Sequence, residues 1–450
     1  MEQADKKIHL IAMGGSVMHA LAIALKQQGF NVSGSDDQYF DPAKSALEKA
    51  GLSVESGWDA QKISTNIDFV VLGMHAQLDN PELLKAQELG LTIYSFPEFI
   101  YQQSKNKQRI VVGGSHGKTT ITSMMMHVLK FYSKKFDYVV GADVIGFNNR
   151  VKLSDAPIIV IEGDEYLSSR IDPIPKFLRY QHHIGVISGI AWDHINVFKT
   201  EADYVEQFRK FVISTPKAGS LIYNDEDQKA KELGTTEGLD INYLPFTTLE
   251  HSIRNGSTYL KTSNGDLKVQ VFGKHNLSNM AAAKEALARL GVNESEFFEA
   301  IQSFELPSLR LDVFMEKDSF TVYRDYAHAP SKVKATAEAV KAQNISKYLI
   351  GVLELHTYSS LNKSFLPHYK NALNKCDTSI VFVDPEAIKI KKLEHVSTND
   401  IEKAFGTPVT VVNSAKELAS ELLNINKENT NLLLMSSGNF GGLDFKPLFY

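Results

Sequence analysis

The segment Val112-Gly113-Gly114-Ser115-His116-Gly117-Lys118-Thr119-Thr120 constrains this chain more than any other. It lies between an apolar run that reads as a strand, Arg109–Val112, and a helical pattern through Thr119–Leu129. Glycines let the backbone curl so that successive N–H groups point at phosphate oxygens. The helix N-terminus adds its dipole, and Lys118 supplies a point charge. A hydroxyl on Thr119 or Thr120 stands where Mg2+ beside a phosphate is held. Val112 takes the place where the usual spacing has its first glycine, so this is a shortened variant. A strand–loop–helix of this kind belongs to a parallel sheet with crossover helices. Taken alone, it points to a nucleoside triphosphate and not to what is done with it.

The rest of the chain repeats the alternation. Strands are predicted at Ile8–Met13, Asn31–Ser35 and Phe69–Leu72, with helices over Ser16–Gln28 and Pro81–Glu88. The polar stretch Gln102–Gln108 then reads as a separator. Beyond it, strands at Ile158–Ile161, Gly185–Ser188 and Ser220–Tyr223 and helices at Glu201–Ile213 and Leu277–Leu290 form a second block. Pro307 marks another boundary. After it come strands at Thr321–Arg324, Tyr348–Leu353, Ser379–Val383, Val409–Val412 and Asn431–Met435. The expectation is an α/β protein of three consecutive α/β domains with largely parallel sheets, divided as 1–107, 108–306 and 307–450.

Composition narrows the function classes. With 450 residues, the chain is too long for one ordinary core. A formal net charge of -5 argues against a broad nucleic-acid surface, though a local pocket can still hold small anions. A single cysteine, Cys376, excludes an internal disulfide and any multi-cysteine metal site, which suits a reducing cytoplasm. No apolar run approaches bilayer length, so no membrane insertion is expected. Lys6 and Lys7 before Ile8–Met13 superficially resemble a signal peptide, but the run is short and leads straight into Gly14-Gly15.

Met13-Gly14-Gly15-Ser16 is a second glycine loop at a helix start. Asp36 follows at the end of the next strand, where ribose hydroxyls are bound in dinucleotide folds. The third glycine of that fingerprint is missing, so a nicotinamide-dependent oxidoreductase and a plain βα turn both remain open at this loop. Glu162-Gly163-Asp164-Glu165 ends a strand, where hard oxygen ligands suit Mg2+ beside phosphates. Asp193-His194 follows another predicted strand and the segment Ile187–Trp192. Gly273-Lys274-His275-Asn276 opens an alanine-rich helix, and His275 and Asn276 offer flat polar edges to a base. Arg310 and Asp325-Tyr326-Ala327-His328 read in isolation as a surface charge and a turn.

In order, these motifs resemble the Mur ligase family along essentially the whole chain. Gly114–Thr120 is similar to its phosphate loop, Glu162–Tyr166 to its acidic strand end, and Asp193-His194 to its metal-binding pair. Gly273–Asn276 resembles its adenine-side helix start, and Arg310-Leu311-Asp312 and Asp325–His328 its C-terminal motifs. The resemblance implies a Rossmann-like N-terminal domain for a UDP-sugar, a central P-loop ATPase and a Rossmann-like C-terminal domain for the incoming amine. It implies ATP and Mg2+ as cofactors. Gly114, Ser115, His116, Gly117, Lys118, Thr119 and Thr120 would cradle phosphate, and Thr119, Glu162 and His194 would serve the metal. Catalysis would rest on Lys118, Glu162 and His194. His275 and Asn276 would face adenine, and Arg310, Asp325 and His328 the phosphate and ribose. Gly14, Gly15, Ser16 and Asp36 would contact the UDP part. Lys210 is a possible counterpart of the carbamoylated lysine that members often use.

Two branches of that family start from UDP-N-acetylmuramate. One adds L-alanine; the other, in peptidoglycan recycling, attaches the tripeptide L-alanyl-γ-D-glutamyl-meso-diaminopimelate. Met435–Gly442, Lys176-Phe177 to Tyr180, and Asp193-His194 followed by Phe198 are more similar to the tripeptide branch. Glu354–Ser359 departs from both, with His356 and Tyr358 nearer the alanine branch. The oxidoreductase alternative leaves the Lys118 loop unexplained. A non-catalytic nucleotide sensor has no need of Lys118, Glu162 and His194 together. Folylpolyglutamate synthetases share the chemistry but lack the N-terminal sugar-binding domain.

Overall fold

The computed structural model describes residues 6–192, 197–391 and 393–449, which form four sheets. The first contains β1 (Lys7–Ile11), β2 (Asn31–Ser35), β3 (Phe69–Leu72) and β4 (Thr92–Ser95), all parallel in the order β2-β1-β3-β4. The second contains β5 (Gln108–Gly113), β6 (Asp137–Val139), β7 (Val151–Lys152), β8 (Ile158–Glu162), β9 (Ile184–Ile187), β10 (Ser220–Asn224) and β11 (Asn242–Phe246). Its order is β11-β10-β9-β5-β8-β6-β7, and only β7 runs antiparallel. A small antiparallel sheet joins β12 (His251–Arg254), β13 (Ser257–Thr262) and β14 (Gly265–Val269). The last contains β15 (Arg310–Lys317), β16 (Phe320–Asp325), β17 (Tyr348–Glu354), β18 (Thr378–Phe382), β19 (Thr410–Val412) and β20 (Thr430–Met435). Its order is β15-β16-β20-β17-β18-β19, with β15 antiparallel at the edge. The α/β expectation with largely parallel sheets is borne out.

The chain packs as two compact units. One takes in residues up to Ile190 with Glu201–Thr247 and Ala282–Ala300; the other takes in Ala191–Thr200, Thr248–Ala281 and Ile301–Tyr450. The central strands of the first unit, such as Ile110–Val112 and Ile159–Ile161, are fully buried, as strands covered on both faces must be. In the second unit, one face of the last sheet packs under Val333, Ala337, Val340, Tyr369 and Phe405. The other packs under Leu418, Leu422 and Phe449. Among the described residues no helix is long and apolar enough to cross a membrane.

Several local readings shift for physical reasons. The first strand ends at Ile11, because Ala12 turns with φ 65°, and the helix after it begins at Met18 rather than Ser16. The expected separator Gln102–Gln108 is entered by a helix, Phe96–Ser104. Ser95 and Glu98 form a capping box there, and Phe96, Phe99 and Ile100 bury one face. The helix expected from Leu277 begins at Lys274. Arg310, read in isolation as a surface charge, belongs to β15, an edge strand whose pairing with β16 shifts register twice.

Candidate active site

The phosphate loop is shaped at β5 and by what β9 presses against it. Gly114 has φ 131°, and a Cβ there would lie 2.1 Å from Ser188 Oγ. Gly117, with φ 76°, caps the helix Lys118–Phe131 in the left-handed region. Only glycine takes both positions without strain. The Ser115 N–H donates to the Gly189 carbonyl (3.0 Å), and the Ser188 hydroxyl donates to the His116 carbonyl, so the loop is tied to the segment that follows β9. Thr119 and Thr120 are buried in the first turn.

Lys118 is the charged centre of this loop. Its ammonium donates to the Gly114 carbonyl (2.6 Å) and to Glu165 Oε2 (2.7 Å). Burial lowers its proton affinity, but Glu165, Asp164 and Glu162 outweigh that effect and hold it above the ordinary lysine value. Glu165 is fully buried, and its other oxygen accepts from the Tyr204 phenol (2.7 Å). The Ser115 hydroxyl meets the same phenol at 2.9 Å. Beside this chain, the Thr119 hydroxyl donates to Glu162 Oε1 (2.9 Å), and the Gly141 N–H donates to Oε2 (2.8 Å). Thr119 and Glu162 are hard oxygen donors placed next to a phosphate cradle, which fits Mg2+. The third predicted metal ligand, His194, lies outside the described residues. Lys210 stands on the exposed face of the helix Glu201–Ile213, whose buried face carries Tyr204 and Phe208. Tyr204 of that helix meets Glu165 and Ser115, whereas the Lys210 side chain is exposed.

The first glycine loop holds its own cluster. The Gly14 N–H donates to Asp36 Oδ2 (2.6 Å), and burial together with Asp37 pushes the Asp36 carboxyl up to about 6. Gly15 accepts from the His19 N–H (3.0 Å). Ser16 accepts from Arg150 (2.6 Å), which is itself paired with Asp143. Arg150 carries no sequence signal, since it reaches the loop from a segment 134 residues away.

In the second unit, β15–β16 pairing sets Arg310 opposite Asp325. The Arg310 guanidinium stands over the Tyr326 ring (4.9 Å), and His328 Nδ1 contacts the Tyr326 carbonyl (2.8 Å). Burial pushes Asp325 up to about 6 against the pull of Arg310 and the Ala327 N–H. His275 is held neutral by burial, at about 4, and its Nδ1 has no hydrogen-bond partner among the described residues. Asn276 is buried and donates to the Phe272 carbonyl (3.1 Å). Sequence reasoning missed the role of Glu354 at the end of β17. Its Oε2 accepts from the Ser436 hydroxyl and from the Phe440 N–H (2.8 Å), and Oε1 lies 3.5 Å from His356.

Comparison with known proteins matches three consecutive family models. They are "Mur ligase family, catalytic domain" over residues 7–108, "Mur ligase middle domain" over 112–287, and "Mur ligase, glutamate ligase domain" over 309–438. The chain is 30% identical over 448 residues to a UDP-N-acetylmuramate–L-alanine ligase of Caldicellulosiruptor saccharolyticus, covering 96% of each chain. It is 26% identical to a UDP-N-acetylmuramate–L-alanyl-gamma-D-glutamyl-meso-2,6-diaminoheptandioate ligase of Haemophilus influenzae, covering 98% of each. A crystal structure of a murein peptide ligase from Psychrobacter arcticus shares the fold, with TM-score 0.68, 20% identity and 98% of each chain covered. The chain belongs to the Mur ligase family, whose members are ATP-dependent ligases of peptidoglycan synthesis.

Proposed function

We propose that this chain joins the carboxylate of UDP-N-acetylmuramate to the free amine of L-alanyl-γ-D-glutamyl-meso-diaminopimelate, with ATP and Mg2+. One observation carries the ATP-consuming half: the glycine loop after β5, with Lys118 held charged by Glu165 beside the Thr119–Glu162 oxygen pair. A carboxylate is a poor electrophile, so its oxygen first attacks the γ-phosphorus and ADP leaves. Lys118 and the loop amides stabilise charge on the transferring group. The amine then attacks the acyl carbon, loses a proton, and inorganic phosphate departs. Mg2+ held at Thr119 and Glu162, with His194, would neutralise phosphate charge during this step. His275 and Asn276 are assigned to the base, and Arg310, Asp325 and His328 to phosphate and ribose. Gly14, Gly15, Ser16 and Asp36 are assigned to the UDP part. Residues 1–107, 108–306 and 307–450 divide the work between nucleotide sugar, ATP and acceptor. The reaction belongs in the cytoplasm, where ATP and nucleotide sugars are kept.

The tripeptide is favoured by Met435–Gly442. Glu354 pins Ser436 and Phe440, leaving Gly438, Asn439, Gly441 and Gly442 exposed at the strand ends. Such a rim offers backbone donors and acceptors to an extended peptide. A second reading takes L-alanine as acceptor, as in the Caldicellulosiruptor relative, and draws on His356 and Tyr358. Phosphate release from ATP with UDP-N-acetylmuramate separates them. Release with the tripeptide and not with L-alanine is expected; release with L-alanine alone would establish the second reading. Release with neither would refute the assigned donor.

A further inference from the structure

The segment between Asp164 and Tyr180 links two strand ends that a donor molecule has to connect. At one end it leaves β8 directly after Glu162. At the other it is fastened to the carboxyl end of β4, where the Ser95 hydroxyl donates to Asp172 Oδ2 (3.0 Å). Arg179 pairs with the same Asp172 and stands 3.8 Å from Glu98 in the helix that follows β4. Between these anchors Phe177 is fully buried, stacked on Phe211 (5.0 Å) and edge-on to Phe208 (5.3 Å). Lys176, immediately before it, therefore has a fixed backbone. Its ammonium is largely covered, with 13% of the side chain exposed, and donates to Asp164 Oδ2 (2.7 Å).

Neither the phosphate loop nor the uridine-side loop uses this lysine. It has three N–H donors, and among the described residues only Asp164 accepts from it. Asp164 is also close enough to Lys118 to help hold that ammonium charged. On the other side, His75 follows β3 of the first sheet. Burial lowers its proton affinity, and Lys176 and Arg170 lower it further against Asp37. Lys176 thus stands on a segment tied to the end of β4 through Ser95 and Asp172, and its ammonium is paired at the acidic strand end beside the phosphate loop. An anionic donor carboxylate approaching an anionic triphosphate needs a cation at that place.

We propose that Lys176, braced by Asp164, holds the carboxylate of the acid substrate in line with the transferable phosphate. This rests on the proposed donor, UDP-N-acetylmuramate. The test uses equilibrium binding of the full chain without ATP, with two probes. They are UDP-N-acetylmuramate and UDP-N-acetylglucosamine, which lacks the lactyl carboxylate. The wild type should prefer the first. Lys176→Gln should lose about ten- to a hundredfold in affinity for it, the range of a hydrogen bond to a charged group, and leave the second unchanged. Lys176→Arg should restore part of the preference. ATP affinity, measured on the same samples, should stay at the wild-type level and exclude misfolding. Equal weakening toward both nucleotide sugars, or no change toward either, would overturn the assignment of Lys176 alone. A wild type that binds the glucosamine nucleotide equally well would overturn it too. A wild type that binds neither would overturn the donor reading, and this assignment with it.

Discussion

Replacing Asp325 by asparagine removes a covered carboxylate that the fold holds above its ordinary proton affinity. The group sits at about 6 against 3.8 unperturbed, chiefly because burial disfavours the charged form. A raised folded value means the folded state binds more protons than the unfolded one. The stability this contributes is complete below about pH 4 and is lost as pH rises through about 6. The gap of about 2.2 units corresponds to about 3 kcal/mol, or about 2 because the side chain is partly exposed. Asparagine is always neutral and keeps an oxygen for the Ala327 N–H, which now donates to Oδ1 at 2.6 Å. Any hydrogen bond lost with the other oxygen shifts the comparison by the same amount at every pH. The variant should therefore gain about 2 kcal/mol on the wild type between pH 4 and pH 7.5. Of the two tryptophans, Trp192 packs edge-on to Phe365 and His368 in the second unit. In a Trp58→Phe background its fluorescence during urea unfolding reports on that unit. A stability difference that is flat with pH would refute the argument.

Lys118→Met should cut ATP-dependent phosphate release at least about 100-fold. Adding Glu165→Gln, which removes the stranded buried charge, should restore stability in a thermal melt but not turnover. Tyr204→Phe takes the phenol away from Glu165 and Ser115. A fall in kcat of about tenfold with an unchanged circular dichroism spectrum is expected, the worth of one hydrogen bond in the transition state. Gly438→Ala would place a Cβ 2.8 Å from His356 Nδ1 and 2.9 Å from Glu354 Oε2. Steady-state kinetics should show the acceptor KM raised severalfold and the ATP KM unchanged.

The strand–loop–helix around Lys118 was legible in the sequence because its glycines and its first helical turn carry local signals. Gly114 and Gly117 are needed for their backbone angles, and Lys118 and Thr119 for their place in the first helical turn. Glu162 was legible as a carboxylate at a strand end. Glu165 lay in the same motif, but its pairing with Lys118 depends on how the chain folds back after β8. Tyr204 and Arg150 were invisible, because each reaches its loop from far along the chain and carries no motif of its own. The parallel sheets were read from their apolar runs. The hairpins at β12–β14 were missed because the strands are short and half-exposed, and β12 and β14 alternate weakly. The edge strand β15 was missed because its register shifts break the period of two.

In the proposed reaction the donor carboxylate attacks ATP at its γ-phosphorus. UDP-N-acetylmuramate labelled with 18O in the lactyl carboxylate, turned over with ATP, Mg2+ and the tripeptide, tests it directly by mass spectrometry of the released phosphate. One labelled oxygen in each inorganic phosphate, with unlabelled ADP as the other product, is the predicted result. Unlabelled phosphate, or label carried into AMP, would contradict both the acyl-phosphate route and the role of Lys118 in stabilising the transferring group.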